Sequence, residues 1–148
     1  MSHSLISPSG LFRIMGDSPC HKSVLAQKDL PDNPSPASSA GTRLHSMAEN
    51  QLNQLNTGVP SGEPVVDEYC AYVRELASQD DEPIILVEKR VSLEDWIPSG
   101  FGTVDAIVYH PSSRTLHIVD LKSGAFPIMA DGNPQLMAYC LGALDSLN

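Results

Sequence analysis

A chain of 148 residues that is 41% apolar is long enough for one domain with its own core and too short for two ordinary ones. Its net charge of −9 sits wholly in residues 63–148, where five Lys/Arg stand against fourteen Asp/Glu; this argues against tight, unassisted DNA binding, which draws on Lys and Arg set against phosphates. No apolar run approaches the ~20 residues that span a bilayer, and the opening Met-Ser-His-Ser-Leu-Ile-Ser-Pro has neither the basic nor the apolar region of a secretion signal.

Residues 1–37 are rich in Ser, Pro and Asp, and Pro31, Pro34 and Pro36 speak against a continuous helix. They read as an irregular segment in which Leu11 to Met15 form one helical turn, followed by a core from residue 38 to 148. Leu44, Ala48, Leu52 and Leu55 recur at spacings of three and four, which predicts a helix from Ser39 to about Leu55, capped by Ser38 or Ser39. Thr57 to Gly62 break the chain. A second helix is expected over about 64–78, with Pro64 in its first turn and Val65, Tyr69, Val73 and Leu76 on one face.

After Asp80-Asp81-Glu82-Pro83 the pattern turns to strands: Ile84 through Val91, then Gly102–His110 and Thr115–Lys122 around a turn at Pro111-Ser112-Ser113-Arg114. Trp96 to Gly100 form a loop. Asn133-Pro134 reads as an N-cap with proline at the first helical position, opening a last helix through Leu144. Helix, helix, three strands, helix makes a mixed α/β domain with antiparallel strands flanked by helices. Cys20, Cys70 and Cys140 are odd in number and match no metal or redox spacing, so free thiols in a reducing cytoplasm are expected.

A turn symmetric about Ser112-Ser113 sets Asp105 opposite Asp120, with Cβ atoms ~5 Å apart on one face. Lys122, two residues on, points the same way. Residues on both faces of this hairpin are mostly apolar, so the sheet is expected to be covered on both sides. Opposed carboxylates on such a face repel and are costly to bury. A divalent cation between them, or a proton on one, relieves the cost. The plainer alternative has Asp105 bonded to backbone at a strand end and Asp120–Lys122 as a solvated ion pair.

At Gly102-Thr103-Val104-Asp105 and Val119-Asp120-Leu121-Lys122 the sequence resembles the PD-(D/E)XK nuclease superfamily in its RecB-like branch, which has a restriction-endonuclease-like core. That branch also carries Gly-x-x-x-His and Gln-x-x-x-Tyr on helices, matched here by Gly41 to His45 and Gln135 to Tyr139. Four motifs thus stand in the family's order. The chain is most similar to a phage and prophage group of RecB-like proteins with Ser-Pro-Ser (Ser7 to Ser9), a Glu four residues after the His (Glu49), Trp-Ile-Pro-x-Gly (Trp96 to Gly100) and Asn-Pro-Gln-Leu-Met-x-Tyr (Asn133 to Tyr139). The resemblance implies a metal held by Asp105, Asp120, the Leu121 carbonyl and His45, with Glu49 as a ligand or as the holder of a bound water. It implies Lys122 as the catalytic lysine, and Gln135 and Tyr139 near the metal or the DNA backbone. A surface or core role for His45, a solvated face for Glu49 and simple packing for Tyr139 are the alternatives.

Two departures stand beside these matches. Three cysteines exclude the iron–sulfur version of the branch, and Gly16 to Cys20 differ from the usual Asn-Cys-Pro-Gly order. The family continues past its Gln-x-x-x-Tyr helix with a further strand, whereas this sequence ends at Asn148. A C-terminally truncated core is therefore expected, either a fragment or a shortened natural version whose last strand is absent or comes from a partner; a second copy, or a phage or host recombination protein, is an expected partner.

The expected function is hydrolysis of DNA phosphodiester bonds by a Mg2+- or Mn2+-dependent deoxyribonuclease, an exonuclease of phage or prophage origin working in the cytoplasm of a bacterial host. The main rival is an inactive protein on the same fold, acting as a binding or regulatory module. A carboxylate-pair hydrolase acting on sugars is weaker, since Lys122 suits phosphate better than an oxocarbenium ion.

Overall fold

The computed structural model describes residues 6–15, 19–20, 22–27, 35–54, 59–124 and 127–147. Leu55, Thr57, Gly58, Pro31, Pro34 and Gly16 to Ser18, which figured in the sequence expectations, lie outside them. A 3-10 turn at Pro8–Gly10 is followed by α1 (Phe12–Met15), α2 (Ser23–Gln27), α3 (Pro36–Asn53), α4 (Pro64–Ala77), β1 (Ile84–Ser92), β2 (Phe101–His110), β3 (Thr115–Val119) and α5 (Pro134–Ser146). The class is the expected one: a mixed fold in which three strands, in the order β1-β2-β3, are accompanied by helices. Among the described residues no helix is long and apolar enough to cross a membrane, and the three cysteines are free.

Helix α3 starts three residues earlier than its apolar stripe suggested. Ser35 is the cap, accepting the Ser38 N–H at 3.1 Å, and Pro36 occupies the first turn, where a missing N–H costs nothing. The Asn133 side chain caps α5 by accepting the N–H groups of Gln135 and Leu136 at 3.0 and 3.3 Å.

By contacts the chain divides into two compact units. One comprises Pro34–Lys89 and Val104–Ile128. Its core joins Leu44, Ala48 and Leu52 of α3 to Val66, Tyr69, Cys70, Val73, Leu76 and Ala77 of α4, and to Ala106, Val108 and Leu121 from the hairpin. Contacts between α3 and α4 advance in the same direction along both helices. Arg43 pairs with Glu63 at 2.6 Å, the Cys70 thiol donates to the Ala48 carbonyl at 3.7 Å, and Arg74 donates to the Gln51 carbonyl at 2.8 Å. Buried His110, at the end of β2, bonds through Nε2 to the Leu76 carbonyl at 2.9 Å. Asp80, beyond α4, accepts bonds from the Ser112 N–H and hydroxyl, which ties the turn between β2 and β3 to that helix end.

Strands β2 and β3 pair antiparallel in the register the symmetric turn demands: Ala106 with Val119, Ile107 with Ile118, Val108 with His117 and Tyr109 with Leu116. Val104 through Val108 are all buried, so both faces of the central strand are covered.

The second unit comprises Met1–Asn33, Arg90–Thr103 and Met129–Asn148. Leu11, Leu93 and Ala138 form its apolar centre, with Ile6 and Ile97 against it. The Leu93–Gly100 loop closes on itself, the Leu93 N–H donating to the Gly100 carbonyl at 2.9 Å and the Gly100 N–H to the Ile97 carbonyl at 2.7 Å. Helix α5 buries its small side, Ala138, Gly142 and Ala143 with Tyr139, while Met137, Leu141 and Leu144 stay exposed. Close approach selects that side. A Cβ on Gly142 would stand 2.7 Å from the Ser92 carbonyl oxygen and 2.8 Å from Val91 Cγ2.

That contact yields a test of sign. Alanine is favoured over glycine by ~1 kcal/mol in a helix interior. Gly142→Ala should nevertheless lower stability, by about 1–3 kcal/mol as overpacking does. Denaturant unfolding measures it, and an unchanged or raised midpoint would show that α5 does not lie this close to β1.

Candidate metal centre

Three elements of the first unit bring ionisable side chains together. His45 comes from α3, Glu88 from β1 and Asp105 from β2, and one ligand atom from each lies within 4.8 Å of the others. His45 Nδ1 stands 3.2 Å from Asp105 Oδ1 and 3.6 Å from Glu88 Oε1. Asp105 is 8% exposed. Its second oxygen, Oδ2, accepts the Leu121 N–H at 2.6 Å. The carboxylate therefore spans from the helix histidine to the chain just past β3.

Local folding explains each position. Pairing of β3 with β2 ends at Val119–Ala106, and Leu121, instead of continuing the ladder, gives its N–H to the Asp105 side chain. This releases Asp120, Leu121 and Lys122 from the strand just past its last paired residue, with Asp120 within reach of the Asp105 charge. The first half of α3 runs beside this segment, since a Cβ on Gly41 would stand 3.9 Å from Ser123 Oγ. Glu88 has φ 47°, inside β1. A non-glycine residue in the left-handed region is uncommon and costs ~1–3 kcal/mol, a strain typical of functional sites.

Charge is partly offset within the cluster. The carboxylates of Asp105 and then Glu88 beside the ring, outweighing burial, raise the His45 pKa from 6.5 to about 10, so the imidazole is an imidazolium at neutral pH. Burial pushes the Asp120 carboxyl up. The hydrogen bond from Lys122 opposes this, while the charge of Asp105 adds to it. Asp120 Oδ2 meets Lys122 Nζ at 2.7 Å, with the Asp120 side chain 7% exposed and that of Lys122 40%. The pair is thus not solvated on both sides: its acid is buried and its amine faces water.

Of the residues expected from sequence, His45 and Asp105 touch, Asp120 and Lys122 pair beside them, and Leu121 is bonded to Asp105. Glu49, one turn beyond His45 on α3, is half-buried and is not one of the three converging groups. Glu88 was missed: the apolar run Ile84 to Val87 reads as a plain strand, and the one available signal is the acid that ends it. Gln135 and Tyr139 belong to the second unit. There Gln135 Nε2 donates to the Tyr139 hydroxyl at 3.3 Å. The Tyr139 ring is 5% exposed and packs so near Gly102 that a Cβ there would lie 2.6 Å from it.

The His45 shift sets a pH dependence. A folded pKa above the unfolded value adds stability that is complete below pH 6.5 and lost as pH rises towards about 10. The melting temperature of metal-free protein should fall by a few degrees between pH 7 and 9, and His45→Gln should flatten the fall. A wild-type midpoint level across that interval would show that no imidazolium is held between Asp105 and Glu88.

No curated protein and no solved structure matches the chain. A family model does, over residues 3–148, and by that match the chain belongs to the family described as "Protein of unknown function (DUF2800)".

Proposed function

We propose that the chain is a divalent-metal-dependent nuclease of the PD-(D/E)XK type that hydrolyses DNA phosphodiester bonds, as an exonuclease of phage or prophage origin in the bacterial cytoplasm. The observation that carries this reading is the convergence of His45, Glu88 and Asp105 from three separate elements, with Asp120 and Lys122 at the end of the neighbouring strand.

The donor set fits a hard cation. Carboxylate oxygens with a single imidazole nitrogen suit Mg2+ or Mn2+ better than Zn2+, and acids buried this far need a compensating charge. Asp105, Asp120, His45 and Glu88 would hold the ion, with the Leu121 carbonyl as a further oxygen and Glu49 in support. When bound, such an ion polarises a phosphate and lowers the pKa of water. His45 must first release its proton, since only neutral imidazole ligates. Asp120 holds the Lys122 ammonium with one face open to solvent, where it meets a phosphate oxygen or orients the attacking water. Gln135, oriented by Tyr139, is the proposed contact to the DNA backbone. With a net charge of −9, the chain would depend on the cation, or on a partner such as a recombination protein or a second copy, to approach DNA.

Linear DNA incubated with Mn2+ should be degraded by the wild type, and Asp120→Ala or Lys122→Ala should slow this by roughly two orders of magnitude or more. Activity surviving both changes would refute the assignment.

The closed Asp120–Lys122 pair and the amide on Asp105 favour a second reading, an inactive nuclease fold that binds or regulates another protein. A formed site should raise the melting temperature with Mn2+, by ~2.7 kcal/mol of stabilisation at about a hundredfold excess over Kd. Stabilisation without DNA cleavage would select this second reading.

A further inference from the structure

Tyr69 lies on α4 in the core it shares with Leu44 and Ala48 of α3, and is 8% exposed. Its ring packs as any aromatic would. The hydroxyl does not fit that account: it is fully buried and has no hydrogen-bond partner among the described residues. A core position that needed only apolar volume would be filled at lower cost by phenylalanine.

The helix pair fixes the level at which Tyr69 lies. The Cys70 thiol meets the Ala48 carbonyl, so Tyr69 stands at the level of the α3 turn from His45 to Ala48. Burial, then the negative charges of Asp105, Glu88 and Asp120, hold the phenolic proton in place and raise its pKa. Those three residues are the acids of the candidate centre. Tyr69 is thus a neutral donor in the electrostatic field of the site, and its proton is bonded to none of the acids directly.

We propose that the Tyr69 hydroxyl is a positioning group of the metal centre, donating a hydrogen bond to an oxygen in the coordination shell of a divalent cation held by His45, Glu88 and Asp105. This rests on the metal-dependent reading above and assigns a residue to it that no motif marks. The oxygen belongs to a carboxylate ligand or a water, both present without DNA. Outer donors of this kind orient ligands, and their loss typically weakens metal affinity ten- to a hundredfold, in rough terms.

The test uses the full chain, Mn2+ alone as the probe and Tyr69→Phe, which keeps the ring. Calorimetric titration should show Mn2+ affinity lowered roughly tenfold, while the melting temperature of the metal-free variant equals or exceeds that of the wild type, because a buried unpaired hydroxyl has been removed. Equal Mn2+ affinity in the two proteins overturns the proposal and leaves the metal centre standing. A lower metal-free melting temperature also overturns it, because the hydroxyl would then be structural. Weaker DNA binding with unchanged Mn2+ affinity moves the hydroxyl to a phosphate and overturns it too. A wild type that binds no Mn2+ fails the metal-dependent reading itself, and Tyr69→Phe need not be made to see that.

Discussion

A carboxylate on the middle strand of a sheet, almost closed off from water, must have every oxygen accounted for. Asp105 meets that demand by giving one oxygen to the Leu121 amide and the other to His45. The first bond ends the β2–β3 ladder and frees the Asp120–Lys122 segment. The second draws α3 against the sheet at the level of the cluster. Remove Asp105, and the histidine keeps only its longer pairing with Glu88, while the Leu121 amide loses its acceptor. Most of the geometry around the site follows from satisfying this one group.

Charge explains the remaining arrangement. Three acids, Glu88, Asp105 and Asp120, approach one another, and the protein offsets them with one imidazolium and one ammonium drawn from its own side chains. That is an internal substitute for a cation. It is an imperfect one: burial keeps the Asp120 carboxyl high in spite of Lys122, and β1 accepts a left-handed residue at Glu88 to bring its carboxylate in. A purely structural cluster would have less cause to hold that strain.

Much of this was legible in sequence, for identifiable reasons. The strands and the hairpin register follow from alternation and a short turn, and Asp105 and Asp120 could be placed side by side from that alone. The helix histidine came from a motif. What sequence could not reveal was how far β3 continues. Asp120, Leu121 and Lys122 look like strand residues, and they leave the ladder because a side chain captures the Leu121 amide, a long-range event without local signature. Glu49 drew attention by its spacing from His45, yet Glu88 is the acid that converges, brought across by strand pairing and a positive φ that no glycine advertises. Tyr69 read as one more member of an apolar stripe. Its ring is that; its oxygen is visible as a separate matter only once burial is known. On α5 the small residues are the packed ones, because the backbone of β1 passes too close to Gly142 for anything larger.

The Leu121 amide also has a spectroscopic consequence. Its proton points at Asp105 Oδ2, with nitrogen and oxygen 2.6 Å apart, on a main chain otherwise free of the sheet. An amide in that position senses the electron density of the carboxylate directly, so any charge arriving at or leaving Asp105 displaces its nuclear magnetic resonance frequency. One nitrogen label at Leu121 therefore turns the backbone into a gauge of what the acid is doing, readable without substrate and without altering a single side chain.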